Sequence, residues 1–310
     1  MSELYDTIVV GGGPAGLSAA LHLAWHNRRV LVIDRKTGPL LFTLEKLYNV
    51  PGFPEMSGVQ IVRALTKQAK ERGAEVVVGN VVRAAGQIGD FQLEGAKGEE
   101  WRAKTVLLAT GVARFHPLVD GDHTPCFKYA GKGNMFYCPD CEAPEIEGKD
   151  TIVIAAASAR GGAGMSLGLS RYTDRLRVLL TADAELPDEM THRLAEKGIG
   201  VVEGKIKNLQ GEGRELRGLE LESGEVLEAE AFFVSSSVTG RTDLAKELGV
   251  EIAATGVHAQ PKSQRGDTNV PGVWIAGDLR PMTQQVSVAL GTGNLAAIMI
   301  DQHLRKGDIA

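Results

Sequence analysis

Two cysteines stand two residues apart in Tyr137-Cys138-Pro139-Asp140-Cys141-Glu142, a spacing at which a disulfide can open and close under redox control. In a reducing compartment such a pair is either half of a zinc site or a redox dithiol. Zinc needs two more soft ligands in tetrahedral reach. The chain has three cysteines in all and dispersed histidines, so a redox dithiol is expected and no residue is assigned to a metal. Between the two thiols, Pro139 lacks an N–H that could stabilise a thiolate and Asp140 opposes its charge, which pushes the pair toward a more reducing potential.

A dithiol that cycles needs a source of electrons, and the N-terminal segment has the pattern of a dinucleotide site. A strand over 5–10, a glycine turn, a helix over 14–25 and a strand over 30–34 make a βαβ unit. The turn, Gly11-Gly12-Gly13-Pro14-Ala15-Gly16, satisfies the GxGxxG pattern. Gly11 serves the tight turn, Gly13 the close approach of a pyrophosphate, and Gly16 the packing of helix on strand. The helix N-terminus then presents unpaired N–H groups to the phosphates. Asp34 closes the second strand 18 residues after Gly16, where a carboxylate can accept ribose hydroxyls.

The rest of the chain supplies the framework. Residues 48–54 hold two prolines and a glycine, which exclude helix and central strand. An amphipathic helix is predicted over 57–72, strands over 74–82, 91–93 and 101–108, and a glycine-containing strand end at Ala109-Thr110-Gly111. A domain crossing is expected near Pro117 and a polar return near Thr239-Gly240. Between them lie strands at 151–154, 177–180, 201–203, 216–221 and 231–234, with a helix from about 165 to 171. After a last strand, Gly277-Asp278 can place a carboxylate against a polyol hydroxyl, and a helix over 285–304 can hold a second electron-rich group at its N-terminus.

The 310 residues are 43% hydrophobic and 24% charged with a net charge of -5, which suits about two ordinary domains and argues against nucleic-acid binding. No apolar run reaches the about 18 residues of a membrane span and no signal-peptide pattern opens the chain, so a cytoplasmic location is expected. Cys126 is expected to be a buried small hydrophobe. His116 and His123 are expected to be structural.

Taken together, the GGGPAG turn, the Pro51-Gly52-Phe53-Pro54 loop, the Ala109-Thr110-Gly111 turn, the CxxC followed by an acid, and Ala276-Gly277-Asp278 with its Gln285-Val286 helix start are distinctive. Over nearly its whole length the chain resembles the low-molecular-weight, thioredoxin reductase-like flavoproteins. The resemblance implies an α/β fold of two Rossmann-like, three-layer ββα domains. An FAD domain would comprise 1–118 and 241–310, around an inserted, degenerate pyridine-nucleotide-type domain at 119–240 that carries the CxxC. It also implies a homodimer. Gly11, Gly13, Pro14, Ala15, Gly16 and Asp34 would hold the adenosine half of FAD. Gly277 and Asp278 would hold its ribityl chain, Gln285 and Val286 would lie near the isoalloxazine, and Asn49, Thr110 and Gly111 would make further contacts. By the same resemblance Cys141 would lie against the flavin and Cys138 would attack a thioredoxin-type disulfide. Glu142, one methylene longer than the family's usual aspartate, would be the proton donor.

The departure from that family is also informative. The position of its NADPH fingerprint, 14 residues after Cys141, falls at Ala155, and Ala155, Ala157 and Arg160 occupy the three positions where the family's NADPH-binding members have glycines. Two methyl groups would crowd a pyrophosphate, and Arg160 would disturb helix packing. The following strand ends in Leu180-Thr181-Ala182-Asp183-Ala184-Glu185, whose carboxylates would repel a 2′-phosphate. NADPH is therefore not expected as donor. NADH stays open, through Asp183 and a shifted turn at Gly161, Gly162 and Gly164. Three functions follow: a disulfide reductase fed by a one-electron carrier such as ferredoxin, a dithiol oxidase using oxygen, or a non-enzymatic FAD redox sensor. Because ferredoxins are acidic, the first predicts a local basic surface, for which Arg160, Arg171, Arg175 and Arg177 are candidates.

Overall fold

The computed structural model describes residues 4–181 and 185–309. Two compact units emerge, one from Met1–Leu41, Val50–Ala113 and Val238–Ala310, the other from Phe42–Asn49 and Arg114–Ser237. Residues 42–49, expected with the first segment, pack with the second unit instead.

The first unit begins with strand β1 (Leu4–Val10), helix α1 (Pro14–Trp25) and strand β2 (Val30–Asp34). Helix α2 (Gly58–Glu71) and strands β3 (Glu75–Val78), β4 (Val81–Gln87), β5 (Asp90–Gly95) and β6 (Glu100–Leu108) follow. Helix α2 starts at a capping box: Ser57 Oγ accepts from the Gln60 N–H, and Gln60 Oε1 accepts from the Ser57 N–H, satisfying two end groups at once. The predicted strand over 74–82 is two strands, because Gly79 and Asn80 break it.

In the second unit a short strand β7 (Met135–Phe136) leads to helix α3 (Pro139–Glu142), then β8 (Thr151–Ala155), α4 (Ala159–Leu169), β9 (Leu176–Leu180), α5 (Asp188–Glu196) and β10 (Gly200–Glu203). Strands β11 (Ile206–Glu212), β12 (Glu215–Leu221), β13 (Val226–Glu228) and β14 (Ala231–Ser235) complete it. The chain then returns to the first unit through α6 (Asp243–Glu247), β15 (Val273–Ile275) and α7 (Val286–Ile309).

In the first unit the order β3-β2-β1-β6-β5-β4 makes one sheet, with β15 also beside β6. Pairings β3-β2, β2-β1, β1-β6 and β6-β15 are parallel, whereas β6-β5 and β5-β4 are antiparallel. Alternation divides its residues between two cores. Val9, Val30 and Val32 face the alanines of α1 and the later turns of α7, while Ile8, Val10, Leu31 and Ile33 face the other layer with Phe91 and Leu93. Buried Asp301 of α7 receives Arg28 Nε at 2.8 Å and pairs with Arg305, so the last helix is tied to the chain just beyond α1.

The second unit has a five-stranded parallel sheet, β7-β14-β8-β9-β10, and a three-stranded antiparallel sheet, β11-β12-β13. Val153, Ala155 and Phe233 pack on α4 and α5, while Ile152, Ile154 and Phe232 pack on the small sheet. This is the three-layer ββα arrangement, and the fold is α/β with parallel sheets, as the sequence implied. No helix among the described residues is long and apolar enough to cross a membrane.

Candidate active site

In the first unit the glycine turn is shaped by two steric facts. Gly11 lies at φ +112, and a Cβ there would stand 2.3 Å from the Ala109 carbonyl oxygen, a position closed to any side chain. A Cβ on Gly16 would stand 1.9 Å from the Gly11 carbonyl oxygen, so helix α1 can approach the turn only with glycine there. At Gly13, by contrast, a Cβ would meet nothing within 4 Å, and no side chain caps the helix at this N-cap residue. Pro14 takes the first helical position, where its missing N–H costs nothing.

Around this turn the other predicted residues gather. A Cβ on Gly12 would meet the Asp34 side chain at 2.8 to 3.0 Å, so the buried acid lies directly behind the turn. Asp34 Oδ1 accepts from the Lys36 N–H at 3.3 Å, and Lys36 Nζ lies 3.0 Å from Oδ2. A Cβ on Gly277 would come 2.8 Å from Ala15 Cβ, which sets Gly277-Asp278 against the start of α1. Asp278, Gln285 and Val286 are half-buried where β15 gives way to α7. Open space at Gly13, uncapped helix N–H groups and a carboxylate at the next strand end fit the pyrophosphate and ribose of a dinucleotide.

Arg241 belongs to the same cradle and sequence reasoning passed over it. Its N–H donates to the Gly111 carbonyl at 3.0 Å, its carbonyl accepts from Thr110 Oγ1 at 2.8 Å, and Nη2 donates to the Thr37 carbonyl at 3.0 Å. Burial and then Arg35 lower its pKa while nearby Asp34 opposes them. It thus ties the Thr110-Gly111 turn to Thr37, three residues beyond the acid. The signal was a cation directly after a polar crossing, which only tertiary folding brings back to the turn.

In the second unit Cys138 and Cys141 form a disulfide with Cα atoms 5.2 Å apart. Cys138 is the N-cap of the single-turn α3, and its carbonyl accepts from the Cys141 and Glu142 N–H groups at 3.0 and 2.9 Å. Pro139 at the first helical position favours this turn. Glu142 Oε2 accepts the N–H groups of Tyr137 and Cys138, both at 2.9 Å. Burial raises the Glu142 pKa, against those two hydrogen bonds and Arg114, and the net shift is upward. A carboxyl that holds its proton more readily beside a disulfide can protonate a departing thiolate.

Asn49 falls in this unit too, with Nδ2 donating to the Asp140 carbonyl at 3.3 Å. Cys126 is fully buried, and burial pushes its thiol up to about 12. His116, which no spacing related to the cysteines, lies 2.6 Å through Nδ1 from the hydroxyl of Tyr137, the residue before Cys138. His22 and His26, one turn apart on α1, have ring centroids 4.7 Å apart; among the described residues no group of three His, Cys, Asp or Glu side chains could hold a metal.

The second βαβ unit corrects three expectations. Helix α4 begins at Ala159, not near 165, because Ser158 caps it by accepting the Gly161 N–H at 3.1 Å. Gly161, Gly162 and Gly164 therefore lie inside the helix and make no shifted turn. Arg160 does not disturb packing: it is exposed, and the close approach is made by Gly162, where a Cβ would stand 2.3 Å from Ala155 Cβ. Asp183 lies outside the described residues. Of the four candidate cations, Arg177 pairs with Asp150 at 2.9 Å and Arg175 with Glu230 at 3.3 Å, while Arg171 covers the ring of Tyr172. Half of the expected basic surface is thus neutralised in place.

Among curated proteins, an alkyl hydroperoxide reductase component of Xanthomonas campestris pv. phaseoli is 27% identical over 325 residues, covering 97% of this chain and 57% of that protein. The thioredoxin reductase of Peptoclostridium litorale is 28% identical, covering 99% of both chains. This chain thus spans a little over half the length of the hydroperoxide reductase relative and nearly all of the thioredoxin reductase. Among solved structures, a putative thioredoxin reductase from Bacillus anthracis superposes with a TM-score of 0.89 at 23% identity over 98% of this chain and 99% of that one, a likeness of fold. Residues 5–293 match the pyridine nucleotide-disulphide oxidoreductases, and the chain belongs to that family.

Proposed function

We propose that this chain is an FAD-dependent thiol–disulfide oxidoreductase that takes electrons from a donor other than NADPH and delivers them through Cys138 and Cys141 to a thioredoxin-type disulfide. The observation that carries the disulfide half is the Cys138–Cys141 bridge with Glu142 hydrogen-bonded to the N–H groups of Tyr137 and Cys138. In the first unit Gly11, Gly13, Gly16 and Asp34 would hold the adenosine half of FAD, with Pro14, Ala15, Thr110 and Gly111 completing the turn. Gly277, Asp278, Gln285 and Val286 would hold the ribityl and ring end. When bound, FAD supplies the conversion between single electrons and electron pairs.

Two electrons break the Sγ–Sγ bond and leave two thiolates, which need two protons to become thiols. Glu142 supplies one of them, to the thiolate nearest its carboxyl; water supplies the other. The carboxylate left behind keeps its two N–H donors. Cys138, the helix N-cap, then gives up its proton and attacks the partner disulfide as the thiolate, the partner's departing thiolate takes that proton, and Cys141 resolves the mixed disulfide in the same way. The donor half rests on Ala155 and Ala157 at the fingerprint positions. Ala155 is buried at the end of β8 against Gly162, so its methyl is part of the packing between sheet and helix. A one-electron carrier of the ferredoxin class suits a flavin that lacks a nicotinamide site. The family resemblance adds a homodimer and a cytoplasmic setting to this reading.

Anaerobic stopped-flow mixing of the flavin-loaded protein with photoreduced ferredoxin, NADPH and NADH tests the donor, with thioredoxin reduction as the downstream readout. Flavin bleaching by ferredoxin with slow or absent bleaching by either nicotinamide is expected. Rapid bleaching by NADPH overturns the donor assignment. Oxygen uptake driven by a dithiol, without thioredoxin reduction, would instead mark a dithiol oxidase.

A further inference from the structure

The residue before Cys138 belongs to a second polar pair in the second unit. His116 Nδ1 and the Tyr137 hydroxyl are 2.6 Å apart. The imidazole is held edge-on by two rings, Phe127 at 5.1 Å and Tyr137 at 5.2 Å between centroids. The Arg114 guanidinium lies 5.9 Å from the Tyr137 ring centre. Tyr137 is therefore held through its hydroxyl and its ring, while its main-chain N–H and that of Cys138 converge on one oxygen of Glu142. One residue touches both the histidine and the acid.

We infer that His116 and Tyr137 are positioning residues for Glu142, and that they set the pH range in which the Cys138–Cys141 pair takes up protons on reduction. The inference rests on the disulfide chemistry proposed above. Burial lowers the His116 pKa, and His123 and Arg114 lower it further, so His116 is neutral at neutral pH. Tyr137 holds its proton well above the usual phenol range, through burial first, then Cys126 and Glu142, against Arg114. The contact is therefore a neutral imidazole against a neutral phenol whose hydroxyl also lies 3.9 Å from Met135 Sδ, and either imidazole tautomer completes it. Around Glu142 itself, Arg114 favours the carboxylate and Glu145 opposes it.

The chemical consequence follows from the proton balance. Reduction breaks the Sγ–Sγ bond and leaves one proton missing from Glu142. The resulting carboxylate is stabilised in proportion to how squarely the two N–H groups point at it. Releasing the Tyr137 ring frees the main chain at 137, weakens its N–H bond to Glu142 and leaves the carboxyl with a higher pKa still. Weakening one hydrogen bond to a charged group by about 1.4 kcal/mol moves a pKa by about one unit.

The test is the midpoint potential of the Cys138–Cys141 pair, measured in thiol–disulfide buffers from pH 5 to 9 on the flavin-loaded protein. Wild type, Tyr137→Phe, His116→Phe, His116→Gln and Glu142→Gln are compared. The plot of potential against pH should change slope at an inflection that Glu142→Gln removes. Tyr137→Phe and His116→Phe should move it upward by about one pH unit. His116→Gln, whose amide can meet the same hydroxyl as acceptor or donor, should return it toward wild type. An inflection unmoved in Tyr137→Phe and His116→Phe overturns the positioning role while leaving the disulfide reading intact. A wild-type pair with no two-electron couple in these buffers overturns both.

Discussion

Substituting Gly162 by alanine tests whether Ala155 serves the packing of α4 on β8. The new Cβ would stand 2.3 Å from Ala155 Cβ and 3.1 Å from Ala155 Cα. Two aliphatic carbons settle about 3.5–4.0 Å apart, so the helix must lift from the strand by about 1.2 Å or more. Overpacking of this size costs about 1–3 kcal/mol, against about 1 kcal/mol that alanine gains over glycine inside a helix. The single variant should therefore lose up to about 2 kcal/mol. Once Ala155 is glycine, the Cβ clash is gone and the same substitution should cost little or become favourable. The cycle over Ala155→Gly and Gly162→Ala should show a coupling of about 1–3 kcal/mol. Trp25, Trp101 and Trp274 all belong to the first unit, so fluorescence reports on the wrong half of the chain. Hydrogen exchange of the β8 amides is the suitable readout. A coupling below about 0.5 kcal/mol would refute the close packing, and with it the reason for regarding Ala155 as structural.

Two further outcomes separate packing from ligand binding and fix a sign. Gly13→Val should fold, because a side chain there meets nothing, yet lose the FAD proposed for this turn. Gly16→Ala should impair both folding and FAD content, because of the 1.9 Å approach to Gly11; circular dichroism with flavin absorbance distinguishes the two. Glu142 has a folded-state pKa above its ordinary 4.5, so the native state binds its proton more tightly than the unfolded chain. Stability should fall as pH rises from about 4.5 through the raised folded value. Glu142→Gln should flatten that part of the stability curve, and a variant curve parallel to wild type in urea titrations would contradict the buried-carboxyl assignment.

What can be read in the chain depends on how local the cause is. Helix α1 and strand β2 are legible to the residue because strand alternation, glycine turn and alanine-rich helix succeed one another within 31 residues, Leu4–Asp34. The start of α4 is hidden because glycines read as a turn when only sequence is visible. A serine cap and the methyl of Ala155 instead draw them into a helix against the sheet. Strand β11 and helix α5 leave weak patterns. The first alternates buried and exposed residues irregularly, and the second buries only Met190 and Leu194. Asn49, Arg241 and His116 share a different obstacle: each acts on a residue 21 to 131 positions away. No periodicity carries such information.

Strand β15 and helix α7 lie at the far end of the chain, yet they pair with β6 and cover α1. A Cβ on Gly293 would stand 2.0 Å from the Ala15 carbonyl oxygen, so the last helix seats directly on the first. During synthesis the first unit therefore cannot close its core until residues near Leu304 have left the ribosome. The stretch Arg114–Ser237 has by then emerged whole, with its parallel sheet and both of its cores already encoded. The disulfide-bearing unit is complete while the glycine turn that was made first still waits for its partner helix. Domains generally fold as units as they emerge; in this chain the last residues of the inserted unit are made before the last residues of the enclosing one.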